Sequence, residues 1–166
     1  MLNRIRSLFA GGDGGAEPGE DALQAAAAAL MVEAARSDDT ITQAERDRIL
    51  AVTQRHFHLN EEEAQDLLSA AVFDTEDVSP YHRYVSIIMD RCPPDRRLWI
   101  IEMLWEVVYA DGELNDLEAS LLRRIGGLLH VSDIERGEAR KRVLERLGLP
   151  DDAGLPVQGN SPPQPA

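Results

Sequence analysis

Apolar residues recur with the spacing of an α-helix along most of the chain between residues 20 and 148. In the segment 93–110 one apolar stripe advances by three or four residues at a time, with Glu102 and Glu106 off it. This stripe is formed by Leu98, Ile101, Leu104, Trp105 and Val108. A second stripe follows in the segment 115–129, and it begins at Leu117. The pattern predicts a series of amphipathic helices.

Capping residues mark where these helices begin. Four times the sequence places Thr, Asn or Ser three positions before a Glu, the spacing at which the two side chains satisfy each other's backbone amides. These capping boxes are Thr42–Glu45, Asn60–Glu63, Asn115–Glu118 and Ser132–Glu135. Ser79–Pro80 and Pro93–Pro94 mark two further starts, and Gly148 ends the last helix. The predicted helices span 20–37, 42–56, 60–73, 79–91, 93–110, 115–129 and 132–147.

The predicted fold class is all-α, a compact bundle of about seven helices. Residues 1–9 are predicted to be a short amphipathic segment, and the Gly-rich residues 10–20 a flexible linker. Residues 21–148 form the helical domain. Residues 149–166 are rich in Pro and Gly and lack periodicity, so they are predicted to be a disordered tail.

The chain repeats itself internally. Residues 33–50 align without a gap with residues 106–123. The matched acids are Glu33 with Glu106, Asp38 with Asp111, and Glu45 with Glu118. A helix, an acidic bend, a second helix, a turn and a third helix therefore occur twice. This order predicts two pseudo-symmetric three-helix repeats joined by a connecting helix.

Composition narrows the functions open to such a bundle. Thirty acidic against seventeen basic residues give a net charge of -13, which repels a phosphate backbone and argues against nucleic-acid binding. Cations and basic protein surfaces are the expected partners. The single cysteine, Cys92, excludes an intrachain disulfide and a thiolate metal cage, which fits a cytoplasmic protein.

The first nine residues combine an apolar stripe with basic neighbours. The stripe consists of Leu2, Ile5, Leu8 and Phe9. Arg4 and Arg6 stand beside it, the pattern of a short interfacial anchor, and this predicts weak membrane-surface association as an alternative location. Nine residues are few for an independent helix, so the competing interpretation is a frayed segment, or one docked on its own domain or on a partner.

The second acidic bend, YADGELNDLE at 109–118, concentrates negative charge. Gly112 is expected to take the left-handed conformation that ends a helix. Asp111 closes the preceding helix at its negative end, where a carboxylate is unfavourable by roughly 0.3–1 kcal/mol. Residues 102–118 hold six acids and no base. Compensation must come from an arginine on another helix, from solvent, or from a bound cation.

A bound cation would be a hard divalent ion. Carboxylate and carbonyl oxygens, with no cysteine and no nearby histidine, favour Ca²⁺ or Mg²⁺ over Zn²⁺. At the second bend the predicted ligands are Asp111 and Glu113, supported by Glu106 and Glu118. At the first bend the candidates are Glu33, Asp38, Asp39 and Glu45. His56 and His58 are interpreted as surface residues near a helix end rather than as a chelating pair.

The doubled pattern of an acidic A-D-G-E-L bend followed by a cap and Glu resembles the TerB-like family, typified by the tellurite-resistance protein TerB, over about residues 22–147. The resemblance implies a compact seven-helix fold, a bacterial stress-response complex and a proposed divalent-metal role for the acidic bends. It implies no catalytic reaction. The first bend departs from the family pattern, since Asp39 stands where Gly is usual.

Three functions remain in view. The first is a non-enzymatic module of this type that binds a divalent cation and acts as an interaction scaffold. The second is a metal-free acidic adaptor for basic protein surfaces. The third is an enzyme that acts through paired carboxylates, although the sequence has no Ser-His-Asp ordering, phosphate loop or activated-cysteine context.

Overall fold

The computed structural model describes residues 20–36, 40–75, 81–109, 112 and 114–151. Within these ranges the secondary structure is helical, without a strand. The helices are α1 (Glu20–Ala35), α2 (Gln43–Phe57), α3 (Glu61–Thr75), α4 (Tyr81–Arg91), α5 (Pro94–Val108), α6 (Asp116–Leu128) and α7 (Asp133–Leu147). The predicted all-α fold of seven helices is confirmed. None of these helices has both the length and the apolar character that a membrane span requires.

The capping boxes set the starts of four helices. The side chains of Thr42, Asn115 and Ser132 each accept a hydrogen bond from the amide of a Glu three residues later, and the Glu side chain bonds the cap's amide in return. Asn60 and Glu63 exchange the same pair of bonds, both 2.9 Å long. All four predicted boxes are therefore confirmed, and each helix begins one residue after its cap.

Positive φ angles close several helices. α2 ends at His58, with φ 55°, and α6 is followed by His130, with φ 57°. These two histidines occupy matching places in the sequence repeat, and this conformation is uncommon outside glycine. Gly112 has φ 82°, the left-handed conformation predicted for it. The local pieces of the repeat thus correspond, while the pseudo-twofold axis stays a prediction.

α1 is the central helix of the bundle. Its side chains are buried from Ala22 to Ala35 with few exceptions, and it packs against α3, α4 and α5. Five consecutive alanines, residues 25–29, give it the small side chains that let neighbouring helices approach closely. A helix that is apolar on all sides belongs in the interior, and α1 follows that rule.

α5 is also an interior helix, with α1, α2, α6 and α7 around it. Its buried residues extend beyond the predicted stripe to Ile100, Met103 and Val107. Glu106, which the sequence places off the stripe, is 0% exposed. Leu117 at the start of α6 shows the opposite difference from prediction: it belongs to the predicted apolar stripe but is 67% exposed. Both side chains, Glu106 and Leu117, belong to the regions of the bundle that could have a function.

The chain stays against the domain for a few residues after α7. Leu149 is partly buried on the core. The backbone oxygen of Asp151 accepts a 2.9 Å hydrogen bond from Arg140 Nη1, and Arg140 Nε donates to the Tyr109 hydroxyl at 2.7 Å. The described beginning of the predicted tail is thereby attached next to the end of α5. The remainder of that tail, and residues 1–19, lie outside the described residues.

Candidate functional site

The eight predicted metal ligands fall into two groups. Four of them, on the bends themselves, lie outside the described residues: Asp38, Asp39, Asp111 and Glu113. The other four lie on described helices: Glu33, Glu45, Glu106 and Glu118. Among the described residues, no group of three or more Asp, Glu, His or Cys side chains is arranged to hold a metal ion. A complete metal site would therefore need ligands from the bends.

Glu106 is compensated by cations from two other helices. Arg146 Nη2, on α7, donates to Glu106 Oε1 over 2.7 Å, and Arg55 of α2 bonds Oε2. His56 Nε2 lies 3.2 Å from Oε1. Because a buried carboxylate is stable only when it is paired and hydrogen-bonded, these partners account for its burial. For Glu106, the arginine alternative of the sequence analysis is the correct one.

The ion pairs continue along α5 to Glu102. Arg142 Nε donates to Glu102 Oε1 at 2.7 Å, and Arg146 Nη1 donates to Oε2 at 3.0 Å. Arg146 therefore bridges Glu102 and Glu106, one turn apart on α5. The network ties α7 and α2 to the interior helix α5, so it has a structural role in joining the two halves of the chain.

His56 is a member of this network, and the interpretation of it as a surface residue is wrong. Its side chain is 14% exposed. The indole Nε1 of Trp99 donates a 2.7 Å hydrogen bond to His56 Nδ1. Burial first, and then the charges of Arg55 and Arg146, lower the pKa of His56 to about 4. The ring is therefore neutral at physiological pH and donates from Nε2 to Glu106.

Glu33 and Glu118, predicted for different bends, come together in one pocket. This pocket has a volume of about 210 Å³ and lies where the last turn of α1 meets the first turn of α6. Its lining consists of Glu33, Ala34, Arg36, Leu117, Glu118 and Leu121. We call it the α1–α6 pocket. Glu33 precedes the first bend and Glu118 follows the second, so the two helix ends that form the pocket lead directly to both bends.

The two carboxylates of the α1–α6 pocket differ in their surroundings. Burial raises the pKa of Glu33, and the nearby Arg36 lowers it in part. Glu118 is 8% exposed, and its Oε2 accepts the amide of Asn115 at 3.0 Å. Both carboxylates line the same pocket, where a positive charge favours their ionised forms, as Arg36 does for Glu33. Oxygen donors of this kind suit a hard cation, so the described part of the site fits Ca²⁺ or Mg²⁺.

Equivalent positions of the repeat have different environments. Glu106 is held by two guanidinium groups and an imidazole, whereas Glu33, its counterpart, lines the α1–α6 pocket. Glu45, the counterpart of Glu118, accepts the amide of Thr42 at 2.7 Å in its capping box. The carboxylate chemistry of interest is therefore concentrated on the pocket side of the bundle.

The fold and these sites define the chain as a small all-α module with acidic groups at the ends of its central helices. A family profile described as "Tellurite resistance protein TerB" matches residues 24–141, which include the α1–α6 pocket and both Glu102 and Glu106, but not their partners Arg142 and Arg146. The chain belongs to the TerB family. Searches among curated proteins and among solved structures find no significant match.

Proposed function

We propose that the protein is a non-enzymatic TerB-like module that binds Ca²⁺ or Mg²⁺ at the α1–α6 pocket and presents this face to protein partners in a stress-response complex. One observation supports the proposal most directly. Glu33 and Glu118, two acids singled out on separate copies of the repeat, line a single pocket. In this proposal the packing of α1 against α6 brings the two acids to the site.

The described helices supply only part of the coordination in this proposal. Glu33 and Glu118 contribute carboxylates from the pocket, and Asp111 and Glu113 contribute oxygens from the second bend. Glu106 is assigned to the ion-pair network instead, because Arg55 and Arg146 already bind its two oxygens. Glu45 is assigned to its capping box.

The ion expected at such a site is hydrated and weakly held. Hard divalent cations prefer oxygen ligands, and Mg²⁺ in particular keeps several of its waters. The pocket is open to solvent on the side of Leu117, which leaves room for those waters. A cation would also neutralise Glu33, whose ionised form is disfavoured by burial.

Calorimetric titration with Ca²⁺ and Mg²⁺ tests the proposal. The pocket variant is Glu33→Gln/Glu118→Gln, which removes two charges and keeps the capping box, because Gln also serves at that position. The control is Glu62→Gln/Glu138→Gln, which removes the same charge from two exposed positions. A third variant, Asp111→Asn/Glu113→Gln, tests the ligands from the bend.

Wild type and the control variant are expected to bind with the same affinity, and both the pocket and bend variants to lose binding. A melting temperature that rises in millimolar cation should accompany binding, since a ligand bound by the folded state stabilises it. Wild-type protein that gives neither heat nor a melting shift would rule the cation out. A pocket variant that binds the cation like wild type would show that the cation site is not the α1–α6 pocket.

The metal-free adaptor is the second candidate, and Leu117 favours it. An exposed leucine beside two carboxylates is a surface suited to a basic partner with apolar side chains. In this case a chelator leaves partner binding unchanged, while added salt weakens it through charge screening. Binding that disappears with chelator and returns with Mg²⁺ would instead favour the cation.

A further inference from the structure

The rim of the α1–α6 pocket exposes an apolar surface next to acids. Leu117 is 67% exposed and stands with Leu121 and Ala34 in the lining. Glu33 and Glu118 belong to the same lining. A pocket with apolar walls and two carboxylates suits one large apolar side chain accompanied by a cationic group. Arg36 also lines it, so the lining holds two carboxylates to one guanidinium.

The chain carries a segment with the complementary chemistry, residues 1–9. Its apolar stripe consists of Leu2, Ile5, Leu8 and Phe9. At helical spacing, Arg4 and Arg6 fall on opposite sides of that stripe. An apolar stripe flanked by two guanidinium groups matches apolar walls flanked by two carboxylates.

The linker has the length needed to bring this segment to the pocket. From Glu20 to Glu33, α1 extends about 20 Å at its rise of 1.5 Å per residue. Residues 10–19 are Gly-rich, and ten such residues have a root-mean-square span of about 16–19 Å. Because the effective concentration of a tethered group is greatest when this span matches the distance to its site, even a weak interaction would be well populated.

We propose that residues 1–9 dock on the α1–α6 pocket of the same chain. Apolar side chains of the stripe contact Leu117 and Leu121, and Arg4 and Arg6 face the carboxylates of Glu33 and Glu118. The proposal goes beyond cation binding, since docking is expected with no cation present. It also assigns the amphipathic segment to the domain rather than to a membrane surface.

Paramagnetic labelling of the full chain tests the docking. A nitroxide at Ser7→Cys leaves every stripe residue in place, and Cys92→Ala removes the only other thiol. Backbone amide spectra are recorded with the label oxidised and then reduced, in the presence of chelator. Because no divalent cation is available, a negative result here is distinct from a failure of the cation proposal.

The expected result is a loss of the amide signals of Leu117 and Leu121, with that of Ile134 retained. Ile134 is 76% exposed at the start of α7, so it serves as an internal control for random encounters. The double variant Arg4→Glu/Arg6→Glu should restore both lost signals. The variant Leu117→Ser should restore the amide signal of Leu121. Signals that are lost equally on both helices, or on neither, would overturn the proposal.

Discussion

Trp99 Nε1 donates a 2.7 Å hydrogen bond to His56 Nδ1, and this contact determines the protonation state of the histidine. An indole N–H is a donor only, so His56 Nδ1 must accept. The ring is therefore neutral, with its proton on Nε2, 3.2 Å from Glu106 Oε1. One hydrogen bond between α2 and α5 thus fixes the tautomer that the buried carboxylate needs.

Acidification should destabilise the protein through His56. The pKa of His56 is lowered from 6.5 to about 4 in the folded state, so the unfolded chain takes up a proton first as the pH falls. The stability from the neutral ring is complete above about pH 6.5 and is lost as the pH falls through about 4. Urea unfolding is expected to show the free energy of unfolding declining between pH 6.5 and 5.

His56→Gln should show a weaker decline over the same interval, because glutamine does not titrate. His130→Asn is the matched control, since His130 is exposed, takes no part in the Glu106 network, and has a positive φ that asparagine tolerates. This control should keep the wild-type pH dependence. A His56→Gln profile that runs parallel to wild type would contradict the assignment.

Neutralising Glu106 should cost more than neutralising Glu102. Glu106 is fully buried between Arg55, Arg146 and His56, and loss of its charge leaves those donors without a counter-charge. We expect Glu106→Gln to lower the free energy of unfolding by about 2–4 kcal/mol. Glu102 is more accessible, and Glu102→Gln should cost about 1 kcal/mol. Equal losses in denaturant unfolding would show that burial is not the deciding factor.

Substitution of Gly112 tests whether the second bend needs a residue with a positive φ angle. A Cβ at Gly112 would meet only Leu149 Cδ2 at 3.8 Å, an ordinary contact, so any cost comes from its φ of 82°. Gly112→Ala should therefore destabilise by about 1 kcal/mol. Gly137→Ala, in open space on α7, should stabilise by up to about 1 kcal/mol. Thermal melts that shift in the same direction would contradict this comparison.

Stabilisation by a cation should depend on pH. Because the pKa of Glu33 is raised, the folded protein binds the proton of the Glu33 carboxyl more tightly than the unfolded chain does. Without a cation, the stability that protonated Glu33 contributes is therefore lost as the pH rises. A cation competes with that proton. The melting shift in millimolar Mg²⁺ or Ca²⁺ is expected to be larger at pH 7.5 than at pH 5. A shift that is independent of pH would separate cation binding from Glu33.

The helices could be predicted because their signals are local. Each capping residue and its Glu are three positions apart, so the sequence shows both partners at once. The partners of Glu106 could not be found in that way, since Arg55 and Arg146 are 51 and 40 positions distant. Their choice depends on how α2 and α7 pack around α5, which the periodicity of one helix does not specify.

The candidate pocket could be predicted only in its parts. The sequence indicates Glu33 and Glu118 as acids next to two different bends, but their shared pocket depends on the packing of α1 against α6. The exposure of Leu117 was missed for the same reason, because the helical stripe does not show where a neighbouring helix ends. A sequence repeat indicates which positions correspond, and tertiary packing decides which of them meet.

The most direct measurement is a crystal structure of the wild-type protein grown with Mn²⁺, a hard-ion substitute whose anomalous scattering marks its position. The account predicts a peak in the α1–α6 pocket about 2.0–2.6 Å from an oxygen of Glu33 or Glu118. An oxygen of Asp111 or Glu113 should complete the contact. A map with no anomalous peak in the α1–α6 pocket would contradict it.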